Sequence, residues 1–411
     1  MPTDNNAGAP AIPLARWADR QLKAMGRDHA TPALSALDGA VLMGERGANG
    51  GYTINGTTSA GLGGSRLLPT RDGGWFALTL IRAEDRELLP ALLGCTDFDI
   101  ADNAAIAALV RQHDCRDLLE RGRALGLPVA SASETPLRPA VEVIATGPRR
   151  NRPAGHRPLV IDLSAIWAGP LAGHLFWQAG MQVVKVESLT RPDLIRRDDP
   201  ATFDLINQGK ASALLDFHCA RQKARLVELI RRADIVIESS RPRALRQLGI
   251  DADTLVREVP GLVWLSVTGH GATGEAANWV GIGNDCGVAG GLSRAMASLT
   301  GRMGYVGDAI AAPLTGITAA REGLRALREG QAVRIGLSMS AITAMALAEE
   351  QAFDRAAIDA ELTAWSMAEG LPFPQVSRRR LAAEVRPLGA DTGHWFGLES
   401  GGTGPELRAP C

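Results

Sequence analysis

The apolar residues in the second half of the chain fall into two alternating patterns. Short runs with few polar interruptions are typical of buried strands: PLVIDLS (158–164), MQVVKVES, ASALLDF, DIVIES and LVWLSVTG (262–269). The segments between them, among them AGPLAGHLFWQAG and ARQKARLVELIRRA, have the spacing of helices. Strands and helices that alternate in this way predict a doubly wound α/β fold with a parallel sheet. A long helix (AAREGLRALREG) and one more strand (AVRIGLSM) extend the pattern.

The first 145 residues predict a second, smaller α/β unit that follows one amphipathic helix. The apolar face of that helix consists of residues at roughly helical spacing: Leu14, Trp17, Leu22 and Met25. The stretch from Gly44 to Gly64 is so rich in glycine that we expect a mobile loop or lid there and no regular helix. A hairpin around Asp72, three short helices and a strand over 127–132 complete the small unit.

These patterns divide the chain into four parts. We expect a helical segment over 1–40 and a small α/β domain with its glycine-rich loop over 41–145. Residues 146–157, rich in Pro, Gly and Arg, predict a linker. A large Rossmann-like domain over 158–345 follows, and 346–411 form a helical or irregular tail.

Composition narrows the class of protein. The chain has 411 residues with 44 Lys and Arg against 45 Asp and Glu, a formal charge of −1 that argues against nucleic-acid binding. Its five cysteines are scattered and form no CxxC pair, which indicates neither a disulfide framework nor a zinc site. The first ten residues lack the features of a signal peptide, and no apolar run is long enough to span a membrane. We therefore expect a cytoplasmic protein.

Two glycine-containing turns are candidates for nucleotide binding. The sequence GHGATG (269–274) matches GxGxxG, but it closes the strand–helix series and no helix begins inside it, which favours a plain turn over a dinucleotide site. The loop over 162–170 places small residues at a helix N-terminus, where free N–H groups can hold a phosphate. Glu187, at the end of the second strand, is either a ribose-binding acid or a helix cap. The seven histidines are isolated, so we predict no metal site.

Two acids lie in apolar, glycine-rich surroundings where a charge is costly unless it is used or satisfied. Asp285 lies in GIGNDCGVAGG and Asp308 in GYVGDAIAAP, and either can be a helix cap. The physical case for Asp308 is the better one. Gly307 permits a sharp turn, and the small residues that follow begin a helix whose N–H groups can keep the carboxylate ionised. Such a carboxylate can attack a carbonyl and form a covalent intermediate, with glycine N–H groups stabilising the oxyanion.

Several stretches between residues 158 and 340, taken in order, resemble the class III CoA-transferase family, which includes formyl-CoA transferase, carnitine CoA-transferase and α-methylacyl-CoA racemase. They are VIDLSAIWAGPLAGHLFWQAGMQVVKVES, INQGKASALLDF, ADIVIESSRPRALRQLGI, PGLVWLSVTGHGATG and GYVGDAIAAPLTGITAAREGLRAL. By position, the resemblance implies that Asp308 is the nucleophile that forms acyl and CoA adducts. Asp285 matches a neighbouring acid. Asn284 stands where racemases have the His partner, and because Asn cannot shuttle a proton, this favours transfer over racemisation.

The resemblance also implies a coenzyme A site and a lid. The site is lined, by position, by Ala165, Ile166 and Ala168, with further contacts expected from Arg191, Ser239, Arg241 and Leu248. The sequence departs from the family's pattern at Ser188, where Arg is common, and at Ser239-Ser240-Arg241, which replaces an Asn-aromatic step. A lid that excludes water from the reactive intermediate matches Gly61, Gly63 and Gly64.

The order of parts departs from the family as well, because the segments that resemble the small domain come before the large domain. Family members form interlocked homodimers, and the resemblance implies a similar dimer here. We therefore expect an acyl-CoA:carboxylate CoA-transferase that takes an acyl-CoA and a carboxylic acid, with coenzyme A as part of the substrate and no permanently bound cofactor. Two alternatives stay open: an acyl-CoA racemase or dehydratase, and a non-catalytic CoA-binding subunit.

Overall fold

The computed structural model describes residues 9–61 and 64–397. Its strands are β1 Arg66–Pro69, β2 Trp75–Leu78, β3 Val129–Ser131, β4 Val141–Arg149, β5 Leu159–Leu163, β6 Gln182–Ser188, β7 Ala211–Leu215, β8 Ile235–Glu238, β9 Val263–Thr268 and β10 Gln331–Ser338. Its helices up to the middle of the chain are α1 Ala15–Asp28, α2 Pro32–Ser35, α3 Gly39–Asn49, α4 Ala83–Glu87, α5 Leu89–Leu93, α6 Asn103–Val110, α7 Cys115–Leu125, α8 Ala168–Gln178, α9 Ile195–Asp198 and α10 Pro200–Asn207. The later helices are α11 Ala220–Ile230, α12 Pro242–Gln247, α13 Ala252–Glu258, α14 Gly283–Ala289, α15 Leu292–Thr300, α16 Ala311–Glu329, α17 Met339–Met367 and α18 Thr392–Phe396.

The larger sheet has seven strands in the order β4-β10-β9-β8-β5-β6-β7, and all of its pairs are parallel except β10 with β4. Alternate residues of its central strands enter two separate cores. Val160 and Leu265 pack with α8 and α16 on one face, while Ile161 and Trp264 pack with α11 and α13 on the other. The predicted doubly wound α/β fold is confirmed.

The smaller sheet is antiparallel, with the order β1-β2-β3. One face packs against α5, α6 and α7 through a core that includes Phe76 and Leu118. The other face, with Leu67 and Ala77, packs against Val288 of α14. This contact brings the loops of the small sheet against the segment of the large unit that carries the predicted catalytic acids.

Two predictions about local structure are wrong. The linker predicted over 146–157 begins too early, because β4 continues to Arg149 and completes the edge of the large sheet beside β10. The glycine-rich stretch is not wholly a loop, because its first residues form α3, which begins where Asp38 accepts a hydrogen bond from Ala40 N at 2.8 Å. Glycine within α3 permits close packing, since a Cβ on Gly47 would lie 2.7 Å from the Phe373 ring.

The last long helix crosses the boundary predicted at residue 345. Helix α17 runs on to Met367 with a kink at Asp354, so the first part of the predicted tail is helical. No helix in the described ranges combines the length and apolarity required to cross a bilayer.

Candidate functional site

Asp308 lies on a turn that precedes α16 and has an unusual backbone. Gly307 has φ 71° and Ala309 has φ 44°, so two residues around the buried Asp308 adopt left-handed conformations. A left-handed conformation costs a residue with a Cβ on the order of 1–3 kcal/mol and persists only where neighbouring contacts hold it. Asn284 supplies one such contact, since its Oδ1 accepts a hydrogen bond from Ala309 N at 2.9 Å. Gly283 supplies another, because a Cβ there would lie 2.8 Å from the Ala309 Cβ.

The carboxylate of Asp308 is held by Arg46 of α3. Arg46 Nε donates to Oδ2 at 2.8 Å and Nη2 donates to Oδ1 at 2.5 Å, the two-pronged geometry that guanidinium and carboxylate groups favour. The guanidinium lies 5.0 Å from the ring centroid of Trp167 and 5.6 Å from that of Tyr52. Burial alone would lower the pKa of Arg46, but the neighbouring Asp308 raises it, so the guanidinium stays charged.

Arg46 was missed by the sequence analysis. It lies 262 positions before Asp308, in the stretch predicted as a loop, and no motif connects the two residues. Recognising Gly39–Asn49 as a helix would have found it. In that helix, Arg46 is a cation among mostly small and apolar residues, most of which are buried.

A chain of hydrogen bonds connects the Asp308 turn to Asp285. Asn284 Nδ2 donates to Ser65 Oγ at 3.1 Å, the hydroxyls of Ser65 and Thr79 are 3.0 Å apart, and Thr79 Oγ1 donates to Asp285 Oδ1 at 3.2 Å. Asp285 also accepts from the backbone N–H of Ile282 at 3.1 Å, so it caps the start of α14 as the sequence allowed. Burial raises the pKa of Asp285 to about 7.

A cavity of about 280 Å³ lies at the carboxyl ends of β5, β8 and β9. Six of the seven predicted coenzyme A contacts line it: Ala165, Ile166, Ala168, Arg191, Ser239 and Arg241. The seventh, Leu248, does not, because it follows α12 and packs against the second core. Leu248 therefore stays a prediction that this cavity does not support.

The inner wall of this cavity adjoins the Asp308 turn. Gly283 and Ala312 line the cavity, and both contact Ala309, the latter through a 2.9 Å hydrogen bond from Ala312 N to the Ala309 carbonyl. Trp167 also lines the cavity and has Arg46 over its ring. The predicted coenzyme A contacts thus line the cavity, and the predicted nucleophile lies behind its wall, next to Ala309, which contacts Gly283 and Ala312 of that wall.

Arg82, Arg191 and Arg241 line one end of the cavity, here called its outer end, and Arg243 of α12 lies close enough to Arg241 to act on its charge. In the part of the chain that the structure describes, none of them forms an ion pair with a carboxylate. Burial and the positive charges of the other three arginines lower the pKa of Arg241. Like charges that converge without a counter-ion suit an anionic ligand. Arg82, from the segment before the large domain, was not predicted.

The loop after β5 is held from beneath by a buried ion pair that the sequence analysis also missed. Ile166 adopts φ 71°, and its N–H donates to Asp193 at 3.1 Å. Asp193 in turn accepts from Lys185 Nζ at 2.9 Å, and the same ammonium donates to the Ser164 carbonyl at 2.9 Å. Glu187 also serves this loop, because it accepts from Asp193 N at 2.9 Å and does not line the cavity as a ribose-binding acid would.

Of the predicted lid, Gly61 and Gly64 are described, and Gly63 lies outside the described residues. A Cβ on Gly61 would lie 2.6 Å from the ring of Tyr52, the same ring that flanks Arg46. Gly64 has φ 56° and precedes Ser65 of the hydrogen-bond chain. Neither glycine lines the cavity, so the lid remains a prediction.

One group of three potential metal ligands lies behind the cavity wall. Among the residues with described positions, His270, Asp285 and Cys286 have ligand atoms within 4.8 Å of one another, and all three are buried. Three ligands are one fewer than a closed structural zinc site requires. The glycine turn that contains His270 is followed by a single 3₁₀ turn, Glu275–Asn278, so it does not present an α-helix N-terminus to a dinucleotide.

Comparison with known proteins gives a consistent result for the second half of the chain. The model of the family described as CoA-transferase family III matches residues 158–364. Cinnamoyl-CoA:phenyllactate CoA-transferase of Clostridium sporogenes is 32% identical over 125 residues, which are 28% of this chain and 30% of that protein. Acetyl-CoA:oxalate CoA-transferase of Acetobacter aceti is 30% identical over 127 residues, 29% of this chain and 33% of that protein.

A longer match is that to succinyl-CoA–D-citramalate CoA-transferase of Chloroflexus aurantiacus, 29% identical over 202 residues, 44% of this chain and 49% of that protein. Among solved structures, a CAIB/BAIF family protein from Brucella suis is 29% identical with a TM-score of 0.44, covering 49% of this chain and 56% of that one. The chain thus matches between about three tenths and half of the length of these curated relatives.

Proposed function

The chain belongs to CoA-transferase family III, and from that premise we propose that it transfers coenzyme A from an acyl-CoA thioester to a carboxylic acid, with Asp308 as the nucleophile. The observation that carries the proposal is the position of Asp308: a buried carboxylate on a strained turn, next to the wall of a cavity whose outer end is ringed by unpaired arginines. The three curated relatives named above are CoA-transferases, which supports the same reaction class.

The proposed reaction has four exchanges at one carboxylate. Asp308 attacks the donor thioester carbonyl, a C–O bond forms, and CoA leaves as a thiolate, giving a mixed anhydride. The thiolate attacks the Asp308 carbonyl, releases the donor acid as a carboxylate and leaves an aspartyl-CoA thioester. The acceptor carboxylate then displaces the thiolate, and the thiolate attacks the acceptor's acyl carbon, which regenerates Asp308. Covalent intermediates of this type divide a difficult transfer into easier steps.

The cavity supports a binding mode for coenzyme A. We propose that its phosphates lie among Arg82, Arg191, Arg241 and Arg243, because convergent guanidinium groups recognise phosphate oxygens. The cavity between this cluster and the Asp308 turn would then hold the thioester end, along the backbone of Ile166 and past Ser239. Water must be kept from the anhydride, and the segment containing Gly61, Gly63 and Gly64 is the proposed lid.

Racemisation, the first alternative, has less support. A racemase needs a second acid or base opposite the carboxylate, and the residue in that place is Asn284. An amide does not transfer protons near neutral pH, and both ends of this one are already in hydrogen bonds, to Ala309 N and Ser65 Oγ. The second alternative, a non-catalytic CoA-binding subunit, requires that Asp308 stay unmodified in the presence of every acyl-CoA.

One experiment separates the three possibilities. The protein is incubated with a panel of acyl-CoA thioesters, quenched with hydroxylamine, digested and analysed by mass spectrometry, with Asp308→Asn as the control. We expect a hydroxamate on the peptide that contains Asp308 and none in the variant. If CoA raises the melting temperature of both proteins but Asp308 is never modified, the transferase proposal is wrong. Deuterium incorporation at the acyl α-carbon without an acceptor acid would instead identify a racemase.

Two further expectations belong to the same proposal. We propose that the protein is a homodimer, as family resemblance implies, and light scattering coupled to gel filtration would measure its mass. We also propose that 41–145 and 158–345 act as the two domains of one protomer. Contacts from Ser65 and Thr79 of the first part to Asn284 and Asp285 of the second support this division of labour.

A further inference from the structure

Arg46 has a partner that the proposed reaction repeatedly removes. Its guanidinium forms a two-pronged ion pair with Asp308, its side chain is 19% exposed, and the Asp308 side chain is fully buried. The rings of Trp167 and Tyr52 lie beside the guanidinium. When Asp308 is converted into the CoA thioester, its carboxylate loses its charge, and Arg46 loses its hydrogen-bonded counter-ion. The remaining anion that raises the pKa of Arg46 is Asp199, which forms no hydrogen bond with it among the described residues.

Asp199 does not offer Arg46 the two-pronged contact that Asp308 gave, and a largely buried guanidinium that has lost its hydrogen-bonded carboxylate favours an anion that can take the same place. The reaction itself supplies one. In the aspartyl-CoA thioester the negative charge resides on the free donor acid, and after exchange it resides on the acceptor acid. Both are carboxylates, and a guanidinium binds a carboxylate with the same two parallel hydrogen bonds that it gives to Asp308.

We propose that Arg46 is the binding site for the carboxylate of the donor and acceptor acids, and that it selects carboxylic acids by passing from Asp308 to the substrate whenever Asp308 is esterified. This inference rests on the proposed function and adds the group that recognises the second substrate. Arg46 holds R–COO⁻ beside the thioester carbonyl of Asp308. One carboxylate oxygen attacks, the new C–O bond forms, and the C–S bond breaks to release the CoA thiolate.

The position of Arg46 relative to the cavity fits this role. Trp167 lines the cavity, and the Arg46 guanidinium lies over the ring of this residue. Arg46 is therefore one residue removed from the cavity. Arg46 comes from α3, which precedes the region matched by the family model. The arginines at the outer end of the cavity are assigned to the phosphates of coenzyme A. In the described part of the chain they form no hydrogen bond or ion pair with Asp308.

A merely structural role for Arg46 makes a different prediction, and the adduct on Asp308 can tell the two apart. Hydroxylamine is a neutral nucleophile near pH 7, whereas a carboxylic acid is an anion. Both compounds discharge the same aspartyl-CoA thioester, but only the carboxylic acid, as an anion, needs a cation to bind it. The test therefore measures two discharge rates from one isolated adduct, with a carboxylic acid and with hydroxylamine, in the unaltered protein and in Arg46→Lys and Arg46→Gln.

We expect the ratio of carboxylate discharge to hydroxylamine discharge to fall roughly 10- to 100-fold in Arg46→Gln, the factor that corresponds to losing a charge-assisted pair. The ratio should fall less in Arg46→Lys, which keeps the positive charge but loses the two-pronged guanidinium contact. Arg46→Lys is also the variant to use if Arg46→Gln does not fold. Arg379→Gln is the matched control, because Arg379 forms a comparable buried pair with the adjacent Glu45.

An unchanged ratio in both Arg46 variants would overturn the inference, whether both discharge rates fall equally or neither rate falls. Arg46 would then be only a structural partner of Asp308. If the unaltered protein forms no adduct on Asp308, the proposed function fails instead, and that outcome is recognised before any variant is made.

Discussion

The buried pair beneath the cavity loop gives the most direct prediction about stability. The Lys185 side chain is 2% exposed, and its Nζ has two acceptors, the Asp193 carboxylate and the Ser164 carbonyl. Asp193→Ala removes the first of these. The ammonium group keeps the Ser164 carbonyl, and the carboxylates of Asp162 and Glu187, which also raise the pKa of Lys185, stay nearby without a hydrogen bond to it. Removing one partner of a buried ion pair costs about 3–5 kcal/mol. The change also removes the acceptor that holds Ile166 at φ 71°, which offsets the residual stabilisation of Lys185 by Asp162 and Glu187, so we expect a loss within that range.

The reverse change should cost less. In Lys185→Met the Asp193 carboxylate keeps two backbone donors, the N–H groups of Ile166 and Ile195. Replacing both partners, as in Lys185→Met/Asp193→Leu, should recover part of the loss because no buried charge remains unpaired. The order of stability is therefore unaltered protein, Lys185→Met, and Asp193→Ala last, with the double variant more stable than Asp193→Ala.

Guanidinium denaturation followed by circular dichroism measures these differences in the free energy of unfolding. The rise in melting temperature on adding coenzyme A measures whether the loop after β5 still supports binding. Asp114→Ala is the matched control. Asp114 and Arg71 form a pair with a similar N–O distance, 2.8 Å against 2.9 Å, but both side chains are exposed, so the loss of stability should be far smaller. A loss of less than about 1 kcal/mol in Asp193→Ala would refute the reasoning, because it would mean that the charges of Asp162 and Glu187 replace the hydrogen-bonded carboxylate almost completely.

Three more changes test the Asp308 turn. Gly283→Ala should destabilise the protein by roughly 1–3 kcal/mol and lower the transfer rate, because its Cβ would lie 2.8 Å from the Ala309 Cβ. Gly287→Ala in the same helix, whose Cβ would meet no atom closer than 3.4 Å, should do neither, and equal effects would contradict the packing argument. Asp285 ionises near pH 4 when unfolded and at about pH 7 when folded, so the free energy of unfolding falls by on the order of 4 kcal/mol as pH rises between these values. In Asp285→Asn that part of the pH dependence, measured by urea titration at pH 5 and pH 8, should disappear. Ser65→Ala interrupts the hydrogen-bond chain and should cost about 1–3 kcal/mol in the same titration, and a loss within error would mean that the buried partners find other donors.

The glycine-rich stretch shows where reasoning from sequence is weakest. Glycine disfavours helix in isolation, so the segment from Gly44 to Gly64 predicts a loop. In the protein, Gly47 is helical because the ring of Phe373, more than 300 residues away in sequence, occupies the space where a Cβ would be. Local propensity carries no information about that neighbour, and the misassignment of α3 concealed Arg46 with it.

The β4 boundary has a similar cause. Pro and Gly at 147–148 are typical of a linker, yet Val141–Arg149 form a strand, since an edge strand tolerates residues that a central strand does not. The central strands were predicted correctly because they are buried on both faces and therefore consist of nearly unbroken apolar runs.

The sequence by itself determined the α/β fold and the position of the central strands, since both depend on neighbours along the chain. It also predicted the loop at Ala165 and Ile166 as a coenzyme A contact and Asp308 as the nucleophile, through resemblance to the family. Only the tertiary structure decided which distant groups meet there. Arg46 on the carboxylate, Arg82 at the outer end of the cavity and Ser65 on Asn284 all come from before residue 158. Ion pairs and hydrogen bonds depend on distance in space, and folding sets that distance independently of separation in sequence.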